Sequence, residues 1–223
     1  MPQPRTWGVY LVTDRHQAGG RELVEVVEQA LLGGVRAVQL REKDLPTDQL
    51  YRLAERLLAR TRARGAALLV NDRVDVAMAV GADGVHLGRG SLPPEEARRL
   101  LGPGALVGVS CHSVAEVREA AQGGADFVVL GPIYATPSKA RYGPPLSPAV
   151  LRAAREALSI PILAIGGITA ARIPEAIQAG ADGVALISAV MGAPDPAAAA
   201  GELMAAWNGT RALGHSGTPE RTP

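Results

Sequence analysis

A single (β/α)8 barrel of the α/β class is the fold this sequence predicts, on three observations. Eight short, almost continuously apolar runs alternate with segments of helical spacing, the pattern of buried parallel strands joined by helical crossovers. One phrase recurs where a helix ends and a strand begins: GGVRAVQL at 33–40, VGADGVHL at 80–87, GGADFVVL at 123–130 and AGADGVAL at 179–186. The chain has 223 residues, which suits eight compact units closed into a ring. A doubly wound open sheet ranks below it, because no GxGxxG follows the first strand.

The strands are expected in order at 7–14 (WGVYLVTD), 37–42 (AVQLRE), 67–72 (ALLVND), 84–88 (GVHLG) and 106–110 (LVGVS). FVVLGP at 127–132, IPILAIGG at 160–167 and GVALIS at 183–188 complete the set. Leu23, Val26, Val27, Ala30 and Leu31 recur at helical spacing, as do Leu50, Leu53, Leu57 and Leu58. Further helices are expected near 73–80, 93–101, 113–122, 147–157, 170–179 and 196–206. Glycine just before the strand, where most of the helices end, supplies the left-handed residue that closes a helix. Asp83, Asp126 and Asp182 occupy one place in the repeated phrase and are read as structural caps of the turn. The barrel is assigned to residues 1–207. The stretch 208–223 loses apolar periodicity and reads as a disordered tail.

Composition narrows the function. The 23 basic and 22 acidic residues leave a net charge of +1, against the basic excess of a nucleic-acid binder. One cysteine rules out an intrachain disulfide and a cysteine-based zinc site. No apolar run approaches the roughly 18 residues of a membrane span. The N-terminus lacks the basic and apolar segments of a secretion signal. The expectation is a cytoplasmic protein acting on small molecules, with no nucleic acid and no membrane partner. Oligomeric state is not written in the sequence, although small barrels often associate into homo-oligomers. Aromatic residues are only 3%, so the core is expected to be Val, Leu, Ile and Ala.

On this fold, function sits at the C-terminal ends of the strands, and the polar residues fall there. Gln39, Arg41 and Lys43 alternate along an extended segment and are expected to point one way. A diphosphate would satisfy such cations; Glu42 or Asp44 is the alternative partner. Gly166–Gly167 and the Ser188 region, each leading into a helix, are placed to hold a phosphate through backbone N–H groups. A tight turn alone would also account for the glycine pair. Two anion sites imply two substrates, one diphosphate and one monophosphate. Asp72, at the end of the third strand, is a candidate Mg²⁺ ligand, with a salt bridge to Arg73 or Arg41 as the plain reading. His86 reads as a packed core histidine, Cys111 as a small buried side chain and His112 as a candidate proton carrier.

As a set, VQLREKD at 38–44, VNDRVDVA at 70–77, GADGVHLG at 81–88, GVSCHS at 108–113, GPIYATPSK at 131–139, AIGGI at 164–168 and ISA at 187–189 resemble the thiamine-phosphate synthase family and its barrel relative, the thiazole tautomerase. The resemblance covers roughly residues 8–205. It implies a transferase that condenses hydroxymethylpyrimidine diphosphate with a thiazole phosphate, or its carboxy form, releasing pyrophosphate by a dissociative substitution. By that resemblance, Gln39, Arg41, Lys43, Asn71, Ser110 and Lys139 hold the pyrimidine diphosphate, and Asp72 ligates Mg²⁺. Thr136, Ser138, Gly167, Ile187 and Ser188 hold the thiazole phosphate. Lys139, Ser110 and His112 are the residues implied nearest the chemistry. One departure stands out. Where the family carries Gln-Glu-Asp after the fourth strand, this chain has Arg89, Gly90 and Ser91, so a serine replaces the second metal carboxylate. That departure keeps open a tautomerase, with His112 as proton shuttle, and a non-catalytic protein that binds thiamine intermediates.

Overall fold

Eight parallel strands close on themselves in the order β1-β2-β3-β4-β5-β6-β7-β8. The computed structural model describes residues 3–136 and 144–215. The strands are β1 Val9–Val12, β2 Ala37–Leu40, β3 Ala67–Asn71, β4 Gly84–Leu87, β5 Leu106–Cys111, β6 Phe127–Leu130, β7 Ile162–Ile165 and β8 Gly183–Leu186. Closure is direct: β1 pairs with β2 (Tyr10 opposite Ala37) and with β8 (Tyr10 opposite Ala185). The ring of helices is α1 Leu23–Leu32, α2 Thr47–Ala63, α3 Val74–Val80, α4 Pro94–Leu101, α5 Val114–Gln122, α6 Pro148–Ala157, α7 Ile173–Gln178, α8 Ser188–Met191 and α9 Pro196–His215. The helical run expected at 170–179 divides into a 3-10 turn at Ala170–Arg172 and then α7. The last helix continues to His215, so residues 208–215 are helical where the composition suggested the tail begins. Among the described residues no helix is long and apolar enough to cross a membrane.

The strands are buried on both faces, which is why they read as continuous apolar runs rather than alternations. Their outer faces join the helices in an aliphatic layer that includes Val38, Leu68, Val107, Val128 and Val184. Inside the ring the composition is different. Trp7, Tyr10 and Phe127 fill the barrel with Leu69, Val129 and Leu163. Trp7 and Tyr10 each meet Phe127 edge-on, at centroid separations of 5.0 and 5.6 Å. The expectation of a wholly aliphatic core therefore fails at the centre. A ring of short strands leaves a space that a few large rings fill better than many small side chains. Gly108 makes room for this cluster: a Cβ there would sit 2.3 Å from Phe127 Cζ and 2.8 Å from His86 Nδ1.

The repeated Asp is a bolt at the N-terminal ends of the strands, away from the functional rim. Asp83 accepts the N–H of Leu68 at 2.7 Å, Asp126 that of Val107 at 2.6 Å and Asp182 that of Ile162 at 2.8 Å. Each therefore ties the start of its own strand to the start of the preceding one. Arg98 on α4 pairs with Asp126, and Arg155 on α6 pairs with Asp182. Asp182 also meets Arg5 at 2.7 Å. Asp182→Ala leaves a strand N–H without its acceptor and takes the carboxylate partner from two guanidinium groups, which keep only backbone carbonyls. A loss of about 2–3 kcal/mol is expected, read as a lower midpoint in urea denaturation with turnover preserved below the transition.

Candidate active site

Strand β2 ends at Leu40, and the chain turns over the next residues. The alternation expected for Gln39, Arg41 and Lys43 thus stops at the strand end. Gln39 faces the barrel interior, buried, with its Nε2 donating to Tyr10 Oη at 3.2 Å. The acids of this stretch are taken by Arg15 rather than by Arg41 or Lys43. Buried Glu42 accepts from Thr13 Oγ1 at 2.7 Å, from Arg15 N at 3.1 Å and from the Arg15 guanidinium at 3.0 Å. Asp44 meets the same guanidinium in a two-pronged contact at 2.6 and 2.5 Å. Thr13 Oγ1 in turn accepts from Arg41 N at 2.9 Å. This network fixes the Arg41 backbone, while its guanidinium has no acidic partner among the described residues. A cation so placed awaits an anionic ligand.

Asp72 follows β3 in a left-handed conformation, φ 60°, a strained choice for any residue but glycine that aspartate tolerates better than most. Its carboxylate lies at the centre of a ring of donors. Ser91 Oγ donates to Oδ1, as does Gly88 N at 3.3 Å. Asn71 Nδ2 donates to Oδ2 at 2.8 Å, and Lys43 Nζ lies 3.7 Å away. The ion pair expected with Arg73 or Arg41 is thus made by Lys43, and Arg73 pairs with Asp75. Burial alone would raise the Asp72 pKa. The Ser91 hydroxyl, Lys43, Gly88 N–H and Asn71 amide outweigh it and hold the group below its ordinary value. The side chain is therefore an anion, and Ser91 touches it although nineteen residues separate the two.

Beneath this rim a polar line crosses the barrel. His86 Nε2 lies 2.9 Å from Ser110 Oγ, and His86 Nδ1 faces Tyr10 Oη at 3.4 Å. Burial, reinforced by the charge of Arg41 and opposed by Asp72, pushes the His86 pKa down to about 3. The ring is neutral at physiological pH. Burial holds the Tyr10 hydroxyl well above its usual value, so Tyr10 is the donor to Nδ1 and Nε2–H points at Ser110. His86 is thus the satisfied core histidine the sequence suggested. What sequence reading missed is that its partners are Tyr10 and Ser110, because they come from strands β1 and β5.

The depressed His86 value makes a stability prediction. Between pH 6.5 and about 3 the unfolded chain binds a proton here that the folded chain does not. The stabilisation is complete above pH 6.5 and is expected to fall by about 1.4 kcal/mol per pH unit below it. His86→Gln should flatten the slope of unfolding free energy between pH 6 and 4.5, measured by urea titration at each pH; an unchanged slope assigns it to other groups.

At the end of β5, Cys111 is buried and its thiol is pushed up to about 12 by burial, which leaves it a neutral packed side chain. His112 is exposed, with Nδ1 3.2 Å from Glu116 Oε2. Glu116 also accepts the His112 N–H at 2.7 Å, while Ser113 Oγ accepts from Glu116 N at 3.1 Å. His112 is therefore built into the start of α5.

After β6 and β7 the chain folds back on itself. Ile133 N donates to Ile165 O at 2.8 Å and Tyr134 N to Gly166 O at 3.1 Å. Gly166 and Gly167 have φ of 96° and 63°, and a Cβ on Gly167 would lie 2.5 Å from Ala135 O. Both glycines are required, by conformation and by contact. Ile165 pairs with Ala185, so Gly167 and the Ile187–Ser188 turn stand side by side beyond neighbouring strands. The N–H groups of Gly167, Ile168, Ile187 and Ser188 donate to no described residue, the property of an anion cradle. Thr136 is the last residue described on the β6 loop; Ser138 and Lys139 lie outside the described residues.

Asp72, Gly167 and Ser188 follow strands of one ring at one rim, and Gln39 and Ser110 lie one residue inside the C-terminal ends of β2 and β5. Among the described residues no group of three His, Cys, Asp or Glu side chains forms a metal cage. A closed parallel barrel with cations and unsatisfied N–H groups on its C-terminal rim defines a (β/α)8 enzyme built for phosphorylated substrates. Comparison with known proteins narrows this. The profile described as thiamine monophosphate synthase matches residues 9–190, and the chain belongs to that family. A Geobacter sulfurreducens protein provisionally named a thiamine-phosphate synthase is 56% identical over 89% of this chain and 93% of its own length. The thiamine-phosphate synthase of Moorella thermoacetica is 48% identical over 91% of this chain and 95% of its own. The solved thiamine phosphate pyrophosphorylase of Pyrococcus furiosus superposes with a TM-score of 0.84 at 39% identity, over 93% of this chain and 98% of that one.

Proposed function

We propose that this chain is a thiamine-phosphate synthase that joins hydroxymethylpyrimidine diphosphate to a thiazole phosphate at the barrel mouth. The observation that carries the reading is the corner of Asp72, Lys43 and Ser91 beside Arg41, an ionised carboxylate among cations that lack enough acids of their own. A tautomerase has no diphosphate to bind and no use for such a corner. The Glu116 contacts of His112 support a structural role for that histidine in place of a proton shuttle.

The donor set suits Mg²⁺, which commonly takes one or two carboxylates and completes its shell with substrate phosphate and water. Asp72 Oδ1 and Ser91 Oγ would hold it, and it would supply Lewis-acid neutralisation of the diphosphate. The residues do the rest. Arg41 and Lys43 bind the diphosphate, with Gln39 and Asn71 at the pyrimidine side. Ser110, oriented by His86, stands near the pyrimidine or the departing group. The bond between the pyrimidine methylene carbon and the diphosphate oxygen breaks, and its electron pair leaves with pyrophosphate. Lys139 neutralises that charge. The thiazole nitrogen lone pair then forms the new C–N bond with the pyrimidine cation. No protein nucleophile is needed; positioning and charge stabilisation suffice. Thr136, Ser138 and the N–H groups of Gly167, Ile187 and Ser188 hold the thiazole phosphate. Phosphorylated substrates do not cross membranes unaided, which supports a cytoplasmic enzyme.

The test is turnover by the purified chain with both substrates and Mg²⁺, followed as pyrophosphate release and thiamine phosphate formation. Binding without release would favour a sensor. Isomerisation of a carboxythiazole phosphate, lost in His112→Ala, would favour the tautomerase. Gly167→Ala is expected to raise KM for the thiazole phosphate by about tenfold, because its Cβ meets Ala135 O and strains a left-handed residue. Steady-state kinetics with the other substrate saturating checks it.

A further inference from the structure

The start of α7 grips the phosphate corner in a way the reaction scheme does not yet use. Arg172 Nη1 donates to Gly167 O at 2.6 Å. The same guanidinium lies over the Tyr134 ring, 4.8 Å from its centroid. Tyr134 Oη donates to Glu175 Oε2 at 2.8 Å, one turn further along the same segment. Tyr134 N is bonded to Gly166 O at 3.1 Å, so the backbone of Tyr134 holds Gly166 while its side chain meets Arg172 and Glu175.

We infer that Arg172 is a positioning residue for the thiazole-phosphate cradle, clamping the Gly167 carbonyl and the Tyr134 ring so that the N–H groups after β7 keep one orientation. The inference rests on the reading of the mouth given above. A trans peptide points its C=O and N–H in opposite directions. Holding the Gly167 carbonyl on Arg172 therefore fixes the direction of the Ile168 N–H, which has no described acceptor. Two glycines at positive φ would otherwise let these peptides rotate, and a rotated peptide would present its carbonyl oxygen to a phosphate. The cation also occupies that carbonyl and draws its partial negative charge away from the site. Through Tyr134 the clamp extends to the β6 loop, which runs on to Thr136. Arg172 and Tyr134 thus join the two loops that the thiazole phosphate must bridge.

The experiment measures KM for each substrate, together with calorimetric binding of the thiazole phosphate and of the unphosphorylated thiazole alcohol. Arg172→Ala is expected to raise KM for the thiazole phosphate by about tenfold and that for the pyrimidine diphosphate by less than about twofold. Affinity for the alcohol should be unchanged. Tyr134→Leu, which removes the ring without changing charge, should shift the same KM in the same direction. A clamp also predicts that Arg172→Lys, which keeps a donor for the carbonyl and a cation over the ring, recovers part of the loss. The inference is overturned if the two KM values move together in Arg172→Ala, if only the melting temperature falls, or if Tyr134→Leu leaves thiazole phosphate binding untouched. Failure of wild-type protein to bind thiazole phosphate would instead bring down the functional reading itself.

Discussion

Asp72→Asn is expected to lower kcat/KM for the pyrimidine diphosphate by about 10²–10³-fold, with the loss growing as Mg²⁺ is diluted. The substitution is nearly isosteric, so Asn71, Gly88 and Ser91 keep a neighbour of the same shape. What disappears is a negative charge that four donors hold ionised. Lys43, 3.7 Å away, gains freedom to meet the diphosphate directly, and KM should therefore suffer less than kcat. The complementary change is Ser91→Asp. Its carboxylate would stand where a hydroxyl now donates to Asp72, and two acids so close repel unless a cation lies between them. Mg²⁺ should consequently bind more tightly in Ser91→Asp, read by calorimetry and by the Mg²⁺ concentration for half-maximal rate. A rate in Asp72→Asn equal to that of wild type across Mg²⁺ concentrations would remove this carboxylate from the chemistry.

The second large effect is expected at Lys139. In a dissociative substitution the barrier is dominated by charge building on the departing pyrophosphate, and the proposed role of Lys139 is to place an ammonium where that charge appears. Lys139→Ala should lower kcat by about 10²–10³-fold and leave KM for the thiazole phosphate nearly unchanged. Lys139→Arg keeps the charge and should recover part of the rate. Pre-steady-state measurement of pyrophosphate release separates this step from product dissociation. An unchanged burst rate in Lys139→Ala would remove the leaving-group role.

Much of this was legible in sequence because the barrel repeats its own logic. Strand positions follow from apolar runs buried on both faces, and their boundaries shift by only a few residues in the structure. The Asp of the repeated phrase was read correctly as structural; its partner, the first N–H of the preceding strand, emerges only from parallel register. Gln39, Arg41 and Lys43 show the opposite outcome. Treating them as one extended segment ignored that the strand ends at Leu40, so Gln39 turns inward, Arg41 stays at the rim and Lys43 swings to Asp72. Arg15 left no signal as the owner of Glu42 and Asp44, since an ion pair between two loops has no sequence period. Arg172 and Tyr134 were invisible for the same reason.

The chain alone therefore determined the number of units, the closed ring and the rim on which polar groups gather, because burial and periodicity are local properties of each segment. Tertiary structure alone decided which acid neutralises which base, which histidine touches which serine, and why three aromatic rings occupy the centre of an aliphatic protein. Those pairings depend on strand register and ring closure, which bring residues dozens of positions apart within 3 Å or so of one another.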